Sequence, residues 1–111
     1  MDLPIRKVFA LAQVANVVVG TETAVINAVA HEPMLKIVLL SHSSNENLTR
    51  DWNETIAMEP RAIPCYPCHR IHQDPTHCHW VGKIAACQAA VSAEEVFKAY
   101  LEWLADREEA A

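Results

Sequence analysis

The fold is decided by the stretch Asn16-Val17-Val18-Val19-Gly20-Thr21-Glu22-Thr23-Ala24-Val25-Ile26-Asn27-Ala28-Val29-Ala30. Its three consecutive valines are β-branched and precede a glycine, which predicts a short strand that ends in a turn. Residues 22–30 predict a helix that is apolar on nearly every side. We expect such a strand and helix to be buried in the middle of an α/β structure. The polar turn between them then lies at the carboxyl end of the strand, where open α/β sheets bind ligands.

The residues of this turn also suit the start of a helix. Glu22 is expected in the first helical turn, where its carboxylate faces the positive end of the helix dipole. Gly20 or Thr21 is expected to cap the backbone amides there. Helix capping alone would explain Thr21 and Thr23, and dipole compensation alone would explain Glu22. Ligand binding is therefore one of two open explanations for each residue.

Length and composition indicate a single domain over residues 1–111. Hydrophobic residues make up 51% of the chain, which is enough for an ordered core. The formal net charge of −5 provides no basic surface, so nucleic acid is not an expected partner. No apolar run approaches the roughly 20 residues of a membrane-spanning helix. The first residues also lack the order of a signal peptide, so we expect a cytoplasmic protein.

Helices and strands alternate along the rest of the chain. A first helix is expected to start at Asp2 and Pro4, and Pro33 is expected to end the helix of residues 22–30. Residues 35–40 predict a second strand, short enough to be buried and parallel. A helical turn within residues 48–52 and a third strand at residues 55–58 follow. This order predicts a three-layer, partial doubly wound (Rossmann-like) parallel sheet.

The end of the chain predicts a C-terminal helix. Ser92, followed three residues later by Glu95, forms the pattern of a capping box. The apolar residues of this helix recur at helical spacing and are expected to be buried: Val96, Tyr100, Trp103 and Leu104. The acidic residues 108–111 are expected to fray.

An irregular segment rich in cysteine and histidine precedes this helix. It holds all four cysteines of the chain: Cys65, Cys68, Cys78 and Cys87. Three states of these cysteines stay open: ligands of a structural zinc ion, buried thiols that pack as small apolar groups, and disulfides. The Cys-x-x-Cys pair also has the spacing of a redox dithiol. Four histidines of the segment are candidate bases or surface residues: His69, His72, His77 and His79.

Residues 17–28 and the cysteine spacing downstream of them resemble, in this order, two motifs of the ADP-heptose lipopolysaccharide heptosyltransferases. Those enzymes are glycosyltransferases of the two-domain GT-B architecture. Their donor-site motif is a strand followed by Asp-Thr-Gly-x-x-His, then a proline and another apolar strand. Here Glu22 replaces the aspartate and Thr23 matches the threonine, whereas Ala24 replaces the glycine and Asn27 replaces the histidine. The cysteine spacing resembles that family's Cys-x-Pro-Cys, Cys and Cys loop, and residues 91–96 resemble its closing helix.

The resemblance implies that residues 5–104 correspond to the later part of a donor-binding domain. In that family this domain binds a nucleotide diphosphate sugar, and an amino-terminal domain carries the acceptor site and the catalytic base. An ADP-sugar is one candidate for the donor here, and the nucleotide base and the sugar stay open. That amino-terminal domain would be missing from this chain, so we expect the chain to be inactive alone. No catalytic residue is assigned. The expected donor-binding residues are Gly20, Thr21, Glu22, Thr23, Ala24, Asn27, Ser41, His42 and Ser43.

Two other functions remain open. One is a non-catalytic α/β interaction module that is stabilised by zinc or by its cysteines. The other is a dithiol oxidoreductase, which would require a thiolate of low pKa at Cys65 or Cys68. Nucleotide binding would favour the donor-domain hypothesis over both.

Overall fold

The structure is a computed structural model that describes residues 3–68, 78 and 80–110. Its helices are α1 (Ile5–Val14), α2 (Ala24–Ala28), α3 (Ala86–Ala89) and α4 (Ala93–Ala110), with a π-helical turn at Asn45–Thr49. Its strands are β1 (Val17–Thr21), β2 (Leu35–Leu39), β3 (Thr55–Met58), β4 (Trp80–Val81) and β5 (Ile84–Ala85). The expected capping residue Asp2 and the four candidate histidines of the cysteine segment lie outside the described residues.

A parallel three-stranded sheet forms the centre of the molecule, in the order β1-β2-β3. The predicted second and third strands are therefore confirmed. Leu35, Ile37 and Val38 of β2 are fully buried, as expected for a central parallel strand. Strands β4 and β5 form a separate antiparallel pair. The coarse prediction of a mixed α/β fold with a parallel sheet is thus confirmed.

Strand β1 is not the buried central strand that its three valines predict. Among the described strands it pairs only with β2, so it lies at an edge of the sheet, and half of the Val19 side chain is exposed. Gly20 and Thr21 belong to this strand and not to the following turn. The apolar run identified a strand correctly, but the position of a strand in its sheet depends on pairing with distant residues.

Helix α2 is shorter than the sequence predicts. It covers five residues instead of nine, and Ile26 is its buried residue. Thr23 holds the N-cap position but makes no capping hydrogen bond with its side chain. Glu22 precedes the helix, so the prediction of a carboxylate in the first helical turn is wrong. The apolar residues Val29 and Ala30 are buried in the turn that follows.

The sheet has helical elements next to both faces. On one face, Ile26 of α2 packs with Val38 and Leu40, and Trp52 packs against this cluster. On the other face, an open apolar cleft of about 430 Å³ lies between the sheet and α4. The cleft is lined by residues of β1, β2 and α4: Val17, Val19, Ile37, Ala93, Val96, Phe97 and Tyr100.

Helix α4 begins with the predicted capping box. The backbone amide of Glu95 donates to Ser92 Oγ at 3.1 Å, and the Glu95 carboxylate accepts from the Ser92 hydroxyl at 3.2 Å. The predicted apolar face is half-buried and faces the sheet side. The helix continues to Ala110, through the acidic residues that the sequence predicts to fray, and the fraying stays a prediction.

Candidate functional site

The two polar segments predicted to bind a donor meet at the carboxyl edge of the sheet. One follows β1 and contains Glu22, and the other follows β2 and contains Ser41, His42 and Ser43. Because β1 and β2 are parallel neighbours, their carboxyl ends lie side by side. The predicted grouping of these segments in space is therefore seen in the structure.

The Glu22 carboxylate joins the two segments. One of its oxygens accepts hydrogen bonds from the backbone amides of Ser41 and His42 and from the Ser41 hydroxyl, at 2.5 to 2.9 Å. The other accepts from the backbone amide of Ser43 at 2.7 Å. Three successive backbone amides that point to one place form a nest, an arrangement that binds anions. Here the anion in the nest is a side chain of the protein itself.

This environment changes the acidity of Glu22. Burial favours the neutral carboxyl group and acts to raise the pKa. The hydrogen bonds from His42, Ser41 and Ser43 stabilise the carboxylate, and together they outweigh burial. The pKa of Glu22 is therefore below its ordinary value, and the side chain is ionised at neutral pH.

A tyrosine connects this edge to the cysteine segment. The Tyr66 hydroxyl lies 3.0 Å from the Ser43 carbonyl oxygen and 2.7 Å from a carboxylate oxygen of Glu59, which follows β3. Burial, and then the hydrogen bond to Glu59, raise the pKa of Tyr66, so its hydroxyl remains a donor. The same Glu59 oxygen accepts from the backbone amide of Asn45 at 3.3 Å. The segments after all three strands are thereby linked in one network.

Several predicted donor-binding residues are exposed beside this network. Thr21, Thr23, Ala24 and Asn27 are all exposed. The Asn27 side chain donates to the backbone oxygen of Thr23 at 2.7 Å, which restrains the start of α2. Since Thr23 makes no side-chain capping bond, capping does not explain this hydroxyl in the structure. A shallow cavity of about 240 Å³ adjoins Thr21 and Ser41.

All four cysteines line a second, smaller cavity of about 150 Å³ near His42. His42 Nδ1 lies 3.1 Å from Cys68 Sγ, so the cavity adjoins the segment that Glu22 holds. No disulfide joins the cysteines. Burial raises the pKa of the Cys87 thiol, and the other three thiols contribute to the same shift.

Within residues 3–68, 78 and 80–110, no three His, Cys, Asp or Glu side chains are already arranged as a metal-binding group. The sequence located the cysteines in one segment but gave no sign that His42 would contact them. It also missed Tyr66 and Glu59. Tyr66 stands between the cysteines of the Cys-x-x-Cys pair, where the pattern draws attention to the thiols alone, and Glu59 belongs to no motif. Only the position of Glu59, directly after a predicted strand, placed it near a strand end.

Comparisons with protein-family models, with curated proteins and with solved structures gave no match. In the part of the chain that the structure describes, no helix is long and apolar enough to cross a bilayer.

Proposed function

We propose that this chain is a sugar-nucleotide-binding portion of a glycosyltransferase that resembles the heptosyltransferases. The observation that carries the proposal is the contact of Glu22 with Ser41, His42 and Ser43. It brings the two segments of the expected donor site together at the carboxyl edge of a parallel sheet, where α/β proteins bind nucleotides. The proposal includes the finer fold, a partial doubly wound, Rossmann-like sheet, and a cytoplasmic location.

The proposed roles of the site residues follow from their surroundings. Glu22 has its oxygens engaged by backbone amides, so its proposed role is to hold the second segment in place. The exposed hydroxyls of Thr21 and Thr23, together with His42, are the groups available to an incoming diphosphate or sugar. Helix α2 is too short to contribute a large dipole, so binding rests on these polar groups.

In the parent enzyme such a site would act by holding the leaving diphosphate as the glycosidic bond to the sugar breaks. The acceptor site and the catalytic base of that family lie in its other domain. The proposal therefore assigns binding to this chain and turnover to the complete enzyme.

The test is an NMR titration of the isotope-labelled chain with ADP, UDP, several nucleotide sugars and adenosine. We expect amide shifts at residues 20–27 and 41–45 with the diphosphates, and weaker shifts with adenosine, which lacks phosphate. The Thr23→Val substitution removes one exposed hydroxyl and leaves the shape of the side chain nearly unchanged. The affinity of this variant for the diphosphates should fall. A well-folded chain that shows no shift at millimolar nucleotide would refute the proposal.

The second candidate is a non-catalytic interaction module. The observation that favours it is the open apolar cleft between the sheet and α4, where Val19 and Phe97 are more than half exposed. Exposed apolar clusters of this kind often mark surfaces that contact other proteins. Lack of nucleotide binding by a folded chain would favour this candidate over the first.

A further inference from the structure

The four cysteines of the irregular segment lie around one place in the structure. Cys65 and Cys68 lie in the loop after β3, Cys78 precedes β4, and Cys87 lies in α3. All four line the same cavity of about 150 Å³. The loop, the β4–β5 pair and α3 therefore meet around this cavity.

The described residues of this part of the molecule form almost no hydrophobic core. Among its described residues, 61–68, 78 and 80–92, Ala86 is the single buried one. Trp80, Val81 and Ile84 are more than half exposed. A segment with so little buried apolar surface needs another source of stability, which small folds commonly obtain from a metal ion or disulfides.

The exposure of the four cysteines argues against their being simple core residues. Each is half-buried, whereas a cysteine that packs as a small apolar group is among the most deeply buried residue types. No disulfide joins any two of the four in the structure, and two disulfides would divide them into separate pairs at bonding distance. One shared partner for four sulfur atoms explains both observations.

We infer that Cys65, Cys68, Cys78 and Cys87 together bind one zinc ion that stabilises the fold. Four thiolates arranged as a tetrahedron, each about 2.3 Å from the metal, form a closed structural zinc site. Among the described residues these thiols do not yet form a finished set of ligands, so they must move closer together to bind the ion. His42, next to Cys68, has the position of an outer residue that orients a ligand.

This inference does not rest on the proposed function, since a structural zinc ion is compatible with nucleotide binding and with an interaction module alike. The first test is elemental analysis of the reduced chain, purified without chelator and without added metal. We expect about one zinc per chain, as in other four-cysteine structural sites. Cys65→Ser and Cys87→Ser should each lose most of the metal. Gln88→Ala, which changes the wall of the same cavity without removing a thiol, should retain it.

A second measurement covers the case in which the cysteine variants fail to fold. After zinc is removed from the unsubstituted chain, Co²⁺ is added under reducing conditions and the absorption spectrum is recorded. Tetrahedral thiolate coordination gives an intense sulfur-to-cobalt charge-transfer band, which zinc should abolish by displacement. The inference is overturned if no sulfur-to-cobalt band forms. It is also overturned if the purified chain contains no metal and mass spectrometry finds either two disulfides or four reactive thiols.

Discussion

At the scale of single residues, Glu22 is the site side chain whose substitution should destabilise the chain most. Its carboxylate accepts four hydrogen bonds, three of them from backbone amides. In Glu22→Gln the side chain keeps one acceptor oxygen and places an NH₂ group against an amide that also donates. We expect the free energy of unfolding at pH 7 to fall by about 2 kcal/mol, measured by urea denaturation.

The effect of Glu22 should depend on pH in a defined direction. Because its pKa is lower in the folded chain than its ordinary value of 4.5, its contribution is complete above that value. The contribution is lost as the pH falls through the lower folded pKa, so the difference between the parent chain and Glu22→Gln should shrink there. Glu46→Gln removes the same charge from an exposed position and is the matched control. Equal losses of stability in both variants would contradict this role.

Lys36 is a charged residue in an unusual place, a fully buried position near the start of β2. Its ammonium group donates to the backbone oxygen of Glu32. Burial lowers the pKa of Lys36, although the nearby carboxylates of Glu32 and Glu54 act in the opposite direction. The folded chain therefore carries the cost of a buried charge at neutral pH.

Replacing this lysine by an apolar residue of similar length should remove that cost. We expect Lys36→Met to be as stable as the parent chain at pH 7, or more stable by about 1 kcal/mol. A lowered lysine pKa means that the unfolded chain binds more protons, so the parent gains stability as the pH rises toward 10.5. Lys36→Met should lack this gain in thermal or urea unfolding. A large loss of stability in Lys36→Met, both at pH 7 and at pH values near 10.5, would show instead that the ammonium group is essential for the fold.

At the scale of elements, a substitution at Gly20 tests whether this residue belongs to strand β1 or to a tight turn after it. In the structure Gly20 is within β1, and an added Cβ would lie 3.9 Å from Ile26 Cδ1, an ordinary contact. Glycine inside a strand costs about 0.5–1 kcal/mol relative to alanine. We therefore expect Gly20→Ala to raise the free energy of unfolding by up to that amount. A clear loss of stability in urea would mean that residue 20 requires a backbone conformation that alanine disfavours.

The elements that could be predicted from the sequence are those specified by local patterns. The apolar run of β2 and the Ser92–Glu95 capping box each depend on neighbouring residues, and both appear in the structure. Glu22 could not be assigned correctly in this way, because its hydrogen-bond partners lie 19 to 21 residues away in the sequence. Neighbouring residues alone predict that the Glu22 carboxylate lies in the first turn of a helix. The edge position of β1 was missed for the same reason.

At the scale of the whole molecule, stability is unevenly distributed. The radius of gyration is 15.2 Å, against about 13 Å expected for a compact domain of this length. Helix α4 is weakly packed, because its best-covered side chains are only half-buried and face an open cleft. The centre of β2, in contrast, holds Leu35, Ile37 and Val38 with no exposed surface.

A small polar cluster fixes the carboxyl half of α4 to the loop before β3. Trp103 Nε1 donates to the Glu54 carboxylate at 3.0 Å, and Arg107 lies 3.6 Å from the same oxygen. The Arg107 guanidinium also lies 4.7 Å from the centre of the Trp103 ring. These exposed interactions each stabilise weakly, so α4 depends on them and on a shallow apolar contact.

We therefore expect α4 to open before the sheet unfolds. In native-state hydrogen exchange, the free energy of opening for α4 amides should be about 1–2 kcal/mol below that of β2 amides, which exchange through global unfolding. Arg107→Gln should lower the α4 value further and leave β2 nearly unchanged, because the ion pair with Glu54 and the contact with the Trp103 ring both hold α4. Arg50→Gln, which removes an exposed ion pair elsewhere, is the control and should change neither value. Identical opening energies for α4 and β2 would show that the helix and the sheet form one cooperative unit. The contacts of Trp103 and Arg107 with Glu54, together with the shallow apolar contact, would then be insufficient to explain how α4 is held.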